Sequence, residues 1–488
     1  MGAPRFRFFS TLAPATAALA LLAACALADA PSAQAAPGGW PPAWNEPPAQ
    51  AQDFTQPQFE PPSASHCHRL PSTREVPGGG GIWNEDRLRR GGITADDRAL
   101  AASEERAERP AEMAAKSVAP SAAPAPMQSA PAPSSQRIAP RHEVVTAGMV
   151  DDNADFGEYL AYRQRNTGLP VRERDIAERY LLEVTDAAGR PVHDAEVAVQ
   201  RAGRAEPVMW ARTDTAGRVW LHPRAFLAPG VDDRALGIAV RKGSAWSRAT
   251  LVRGERAAVQ VRLGQASVVQ RPRLDLVFLI DATGSMGDEI AKLKASMLSM
   301  SQQISRLPGS PDICYGLVAY RDRGDAFLTR AHDFTDDLAA FQSVLARVQA
   351  GGGGDMPEAL NEALHETVHR LSWRSEAARM VVLVADAPPH LDYGGPQYDV
   401  DMQAALAKGI KLFAVGASGL DPVGEYIYRQ IAQYTAGRFV FLTYKDAADP
   451  GSGPGTQTPH DVRGYSVQTL DRLIVKLVGD ELARLPRG

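Results

Sequence analysis

The stretch Leu274-Asp-Leu-Val-Phe-Leu-Ile-Asp281-Ala-Thr283-Gly-Ser285-Met286 decides the fold. From Leu274 to Ile280 it is apolar apart from Asp275, the pattern of a strand covered on both faces, since a strand with one wet face would alternate. Asp281 stops the run. Met286, Ile290, Leu293, Met297, Met300, Ile304 and Leu307 then recur at spacings of three and four, which gathers them along one side of a helix. A doubly buried strand feeding directly into an amphipathic helix is the repeating unit of a parallel α/β sheet.

Working outward, the same texture continues to residue 445. Strands are predicted at Ile313 to Tyr320, Met380 to Ala385, Ile410 to Val415 and Arg438 to Leu442. Helices are predicted at Thr335 to Val348, Glu358 to Leu371, Val400 to Lys408 and Glu425 to Tyr434, and a last one at Val467 to Leu482. This alternation requires right-handed crossovers and gives a doubly wound, Rossmann-like sheet over 272–445, with a loop and a helix in 446–488. Gly451 to Pro459 reads as a loop without order.

Upstream, 175–265 changes to short alternating runs broken by turns. Met209-Trp-Ala-Arg-Thr213 and Arg218-Val-Trp-Leu221 flank Asp214-Thr-Ala-Gly217, where glycine takes positive φ without steric cost. This is the pattern of a small antiparallel β-sandwich. Residues 25–150 are dominated by Pro, Ala, Gly and Ser and bury too little apolar area to offset the entropy of ordering, so a disordered tether is expected.

The chain begins with Arg5 and Arg7 before an alanine- and leucine-rich run ending near Ala28, as in a secretory signal peptide covering 1–24. Leu22-Ala-Ala-Cys25 resembles a bacterial lipobox, which makes Cys25 a lipidation site and the protein an exported, lipid-anchored envelope protein. Cleavage at Ala28-Asp-Ala30 or Ala33-Gln-Ala35 is the alternative, leaving it periplasmic or secreted. A net charge of −4 over 488 residues provides no footprint for nucleic acid. Three cysteines argue against a disulfide framework. Cys314 is expected to be buried, and His66-Cys67-His68 reads as solvated linker.

In a doubly wound sheet the ligand site lies beyond the carboxyl ends of the strands. The loop after the first strand offers Asp281, Thr283 and Ser285 at alternate positions, an oxygen donor set suited to Mg²⁺, with Mn²⁺ or Ca²⁺ as alternatives. Capping of the following helix by Thr283 or Ser285 is the competing explanation. A second loop, Gly351-Gly-Gly-Gly-Asp355-Met-Pro-Glu358, offers Asp355, and a third, after Ala385, offers Asp386. His390, Asp392 and Tyr393 are placed on the rim of the same site as partner contacts. Arg323-Gly-Asp325 reads as an ordinary turn.

The segment Leu276 to Met286 resembles the Asp-x-Ser-x-Ser adhesion motif of the von Willebrand factor type A (vWA) family, with Thr283 at the middle hydroxyl. Gly351 to Glu358 is similar to the Gly-Gly-Asp-x-Pro-Glu second loop of one branch. The resemblance implies a metal-ion-dependent adhesion site in which Asp386 touches the metal through water and a partner protein's Asp or Glu fills an open position. Gly189-Arg-Pro-Val192 with Thr213-Asp-Thr-Ala-Gly217 resembles the carboxypeptidase-regulatory or transthyretin-like sandwich. Cation-dependent protein binding or adhesion at the envelope follows as the expectation, with a scaffold stabilised by metal as the alternative. A hydrolase using His390 as base ranks last, because no nucleophile with a placed base is visible and no enzyme is expected.

Overall fold

The computed structural model describes residues 64–79 and 144–486, apart from 229, 232, 265–270 and 355. The N-terminal apolar run with Cys25, most of the expected tether, and Asp355 lie outside the described residues. In chain order the strands begin with β1 (Thr73–Val76), β2 (Thr146–Val150), β3 (Tyr180–Thr185), β4 (Glu196–Arg201), β5 (Pro207–Arg212) and β6 (Arg218–Leu221). They continue with β7 (Ala235–Lys242), β8 (Ala245–Val252), β9 (Val259–Arg262), β10 (Arg273–Asp281), β11 (Asp312–Tyr320) and β12 (Thr329–Thr335). Last come β13 (Ala377–Ala385), β14 (Ile410–Gly416), β15 (Arg438–Asp446), β16 (Asp449–Pro454) and β17 (Gln468–Thr469). The helices are α1 (Phe156–Arg165), α2 (Pro223–Phe226), α3 (Gly287–Ile304), α4 (Leu338–Arg347), α5 (Leu360–Arg370), α6 (Tyr398–Ala407), α7 (Pro422–Tyr434) and α8 (Leu470–Ala483).

One large sheet runs β1-β12-β11-β10-β13-β14-β15-β2-β17, with β16 paired to β15. From β11 to β15 the neighbours are parallel. The chain leaves β10 toward β11 on one side and returns to β13 on the other, so β10 lies at the switch point where a crevice opens beyond the strand ends. Every residue of β13 is buried and β10 is buried after Arg273, as the unbroken apolar runs required. Met286, Ile290, Leu293, Met297, Met300 and Ile304 cover one face together with α4 and α8. Helices α5, α6 and α7 cover the other. Each fully buried Leu, Ile, Val or Phe contributes about 1.5–3 kcal/mol.

Asp275, the one charge within the β10 run, is wholly buried and neutralised in place: Arg374 donates to it through Nε at 2.6 Å and through its backbone N–H at 2.7 Å. The same guanidinium donates to the carbonyls of Leu274 and Asp312, so no donor set is left facing apolar atoms without a partner on that side.

Two small sheets, β6-β3-β9 and β5-β4-β7-β8, form the region read as a β-sandwich. All their pairs are antiparallel except β3 with β9, which run parallel. Leu182, Val197, Val199, Ile238 and Val240 belong to the same apolar cluster as α5, α6 and α7, so this region shares a core with the large sheet.

Three readings are corrected. Part of the expected tether is ordered: β1 pairs antiparallel with β12 at one edge of the large sheet, and β2 pairs antiparallel with β15 and β17 toward the other. Cys67 is not solvated linker, because it is bonded to the buried Cys314 as a disulfide. Composition measures whether a segment can fold alone; these strands borrow backbone partners from an existing edge, which composition does not register. Finally, Gly451 to Pro454 belongs to β16 and is paired rather than structureless.

Candidate metal centre

Three loops meet beyond the carboxyl ends of β10 and β13, and backbone hydrogen bonds sew them together. Between the first and second, Gly284 N–H donates to the Gly352 carbonyl at 2.9 Å and Gly351 N–H to the Ala282 carbonyl at 3.0 Å. Between the second and third, Glu358 N–H donates to Pro388 and His390 N–H to Glu358, both at 3.0 Å. The glycines are required here. Gly353, at φ +63°, would bring a Cβ to 2.8 Å from Glu358 Oε1 and 3.0 Å from Thr283 Cβ. Gly352, at φ +71°, would meet the Asp325 carboxylate at 2.3 Å.

Into this junction the first loop delivers Asp281, with no exposed surface. Its Oδ1 accepts the Thr283 N–H at 2.9 Å and the Thr283 hydroxyl at 2.6 Å, and Thr283 Oγ1 lies 3.1 Å from Ser285 Oγ. Capping does not account for these hydroxyls, since neither the short turn Gly284–Met286 nor α3 receives a side-chain cap. The third loop supplies Asp386, which pairs with Ser285. The second supplies Glu358, only 2 % exposed, which sequence reasoning quoted as the end of the glycine loop without giving it a role. Its signal was present in the Pro-Glu that closes the loop; its burial beside Asp281 was not.

The three carboxyls lie close enough for charge on one to disfavour charge on another, and they lack enough donors. Asp281 Oδ2, Glu358 Oε2 and Asp386 Oδ1 are buried and unpartnered. Burial first, and the Asp386 charge second, push Asp281 up to about 7. Glu358 is pushed up to about 9, by burial and then by the charges of Asp281, Asp322, Asp325 and Asp386. Asp386 is also raised, by burial working against its bond from Ser285. Such a group of oxygens either holds protons or shares a cation. Carboxylates and hydroxyls with no nitrogen or sulfur among them fit Mg²⁺, Mn²⁺ or Ca²⁺.

His390, Asp392 and Tyr393 follow the third loop. His390 is only 8 % exposed and is held from both sides, by Asp392 at 3.0 Å from Nδ1 and by Asp322 at 3.6 Å from Nε2. Its ring stacks on Tyr393 at 3.7 Å, and Tyr393 donates to Asp322 at 2.8 Å. Burial opposes protonation, yet the two carboxylates hold His390 above its ordinary value. His390 and Tyr393 therefore brace the third loop from beneath, and Asp392 is the residue that faces solvent. Arg323-Gly-Asp325 is also used within the fold: Asp325 accepts the backbone N–H groups of Asp322 and Gly353, and Arg323 lies over the Tyr393 ring at 3.7 Å.

The description "von Willebrand factor type A domain" matches residues 275–448, the span that carries all three loops. Residues 275–448 are a vWA domain. Over 119 residues the chain is 29 % identical to an alpha-protein kinase of Dictyostelium discoideum, covering 24 % of this chain and 19 % of that protein. Over 93 residues it is 36 % identical to von Willebrand factor A domain-containing protein 7 of Rattus norvegicus, covering 19 % of this chain and 10 % of that one. The matches thus span under a fifth of either relative. Among solved structures, BatB of Bacteroides thetaiotaomicron is 14 % identical with a TM-score of 0.24, covering 44 % of this chain and 89 % of that chain. Proximal thread matrix protein 1 of the mussel byssus is 14 % identical with a TM-score of 0.26, covering 36 % of this chain and 49 % of that one. vWA domains mediate protein–protein interaction or adhesion and commonly bind a divalent metal.

Proposed function

We propose that the vWA domain is a cation-dependent protein-binding or adhesion module in which Asp281, Thr283, Ser285, Glu358 and Asp386 hold one divalent ion, with Asp355 in the same loop as Glu358. The observation that carries this is that three loops joined by backbone hydrogen bonds each supply a buried carboxyl oxygen without a partner. When bound, the ion supplies a Lewis-acid position for the carboxylate of a partner's Asp or Glu. The chain's own part is positional: Thr283 and its backbone fix Asp281, Ser285 ties the first loop to Asp386, and Gly353, lacking a Cβ, fits between Glu358 and Thr283. A third carboxylate raises the affinity for the ion and lowers its pull on a partner's carboxylate.

Export to a bacterial envelope, with Cys25 lipidated, belongs to the same proposal. The Cys67–Cys314 disulfide supports it, because such bonds persist in oxidising compartments. Calorimetric titration with Mg²⁺ and Mn²⁺ of the full chain and of Asp281→Ala, beside pull-downs with and without chelator, tests the reading. Saturable binding that vanishes in the variant, with a partner released by chelator, is the expected result. Absence of binding by the folded wild type removes the adhesion reading and leaves a scaffold. Metal binding without any chelator-sensitive partner also favours the scaffold.

A further inference from the structure

A second cluster lies away from the loop junction, between α5 and α6. His365 and His369 stand four residues apart on α5, which places both imidazoles on one face of the helix. Asp401, on the neighbouring helix α6, reaches toward them with a side chain 2 % exposed. His365 Nδ1 lies 3.1 Å and His369 Nε2 2.9 Å from the same atom, Asp401 Oδ1. The other carboxyl oxygen, Oδ2, is buried without a partner. The two rings stack at 4.3 Å between centroids.

We propose that His365, His369 and Asp401 form a transition-metal site of the Zn²⁺ class, separate from the oxygen-only centre. One donor atom from each residue falls within 4.8 Å of the others. Ligand atoms about 2.0–2.1 Å from a tetrahedral ion are about 3.3 Å apart, close to the two nitrogen-to-oxygen separations already present. Imidazole with carboxylate selects Zn²⁺, Co²⁺, Ni²⁺ or Cu²⁺ over Mg²⁺ and Ca²⁺, so the two centres take different ions. His369, with 32 % of its side chain exposed, leaves an approach from solvent and a fourth position for water.

Site geometry, not the vWA reading, carries this proposal, so its test keeps the two apart. The full chain, free of added histidines and saturated with Mg²⁺, is titrated with Zn²⁺ by calorimetry, and with Co²⁺ followed by visible absorption. One Zn²⁺ per chain should bind in the presence of Mg²⁺, and Co²⁺ should give the absorption of a low-coordinate nitrogen and oxygen site. Both should vanish in His365→Gln/His369→Gln and persist in Asp281→Ala and in His66→Gln/His68→Gln. His369→Gln alone, changing only the more exposed ligand, guards against loss of fold and should weaken binding at least about tenfold. No Zn²⁺ uptake in excess Mg²⁺, or equal uptake by the double variant, overturns the proposal.

Discussion

Asp194 and Arg379 form a fully buried ion pair, 2.8 Å from Oδ1 to Nη1, that joins the region of small sheets to strand β13. Asp194 precedes β4 with φ of +55° and also accepts from Arg212 at 3.1 Å and from the Glu376 N–H at 3.0 Å. Removing the carboxylate strands a buried guanidinium, which typically costs about 3–5 kcal/mol. Asp194→Asn should therefore unfold at clearly lower urea concentration than the wild type, with the vWA domain and the small sheets losing structure together. Separate transitions by two probes would show that the shared core does not couple them.

The same pair fixes a pH dependence. Burial raises the Asp194 carboxyl, but Arg379, Arg212 and Lys242 outweigh it and hold the group well below its ordinary value. A depressed carboxylate stabilises the fold above its unfolded value and loses that contribution as pH falls toward the folded value. The stability gap between wild type and Asp194→Asn should then narrow by about 1.2 kcal/mol between pH 5 and pH 3. Urea melts at the two values measure it; a constant gap would mean that the pair is not ionised as described.

At the metal centre, Asp281→Ala removes a proposed ligand and one of three buried carboxyls. Without cation the variant should melt within a few degrees of the wild type or above it, since removal of a buried oxygen without a partner offsets the small cavity. With Mg²⁺ at about 100 times its dissociation constant, the wild type should gain about 2.7 kcal/mol and the variant nothing. Thermal melts with and without Mg²⁺ decide the matter, and an equal upward shift in the variant would place the ion elsewhere.

Glu358 makes a sharper prediction. With Glu358 pushed up to about 9 and Asp281 to about 7, the metal-free chain at pH 6 carries protons on both. Cation binding must release them, so affinity should rise with pH over this range. Calorimetry in buffers of different ionisation enthalpy should count about two protons released at pH 6, and about one for Glu358→Gln. Equal release by both proteins would exclude Glu358 from the coordination set.

Much of this was legible in the sequence, for identifiable reasons. The β10 run and the spacing from Met286 to Ile304 declare a doubly covered strand and a one-sided helix, and those periodicities survive folding unchanged. The places of Asp281, Thr283, Ser285 and Asp386 at the strand ends were legible because the apolar pattern marks where β10 and β13 stop. The burial of Glu358 was not, because it depends on backbone bonds that join its loop to the loop of Pro388 and His390. The burial of His390 was not legible for a related reason: it follows two prolines in a loop, which favours exposure, while Asp322 and Asp392 hold it from either side. Helix α1 escaped notice because its buried face rests on Tyr159 and Tyr162, whose partners Tyr426 and Arg429 lie far along the chain.

The Cys67–Cys314 bond joins positions 247 residues apart, across the edge that β1 adds to β12. Short strands at a sheet edge hold few backbone bonds, so β1 depends on this anchor and on its side-chain contacts, among them the Arg74–Glu366 pair. Strands β10, β11 and β12 pair without it. Cys67→Ser should therefore lower global stability by about 2–4 kcal/mol, and amide exchange should accelerate first over residues 64–79 while β10 and β13 remain protected. Mass-resolved hydrogen exchange on wild type and variant separates the outcomes. Uniform acceleration across the large sheet would mean that the bond holds the whole fold, and no change at residues 64–79 would mean that β1 stays on its edge through backbone pairing alone.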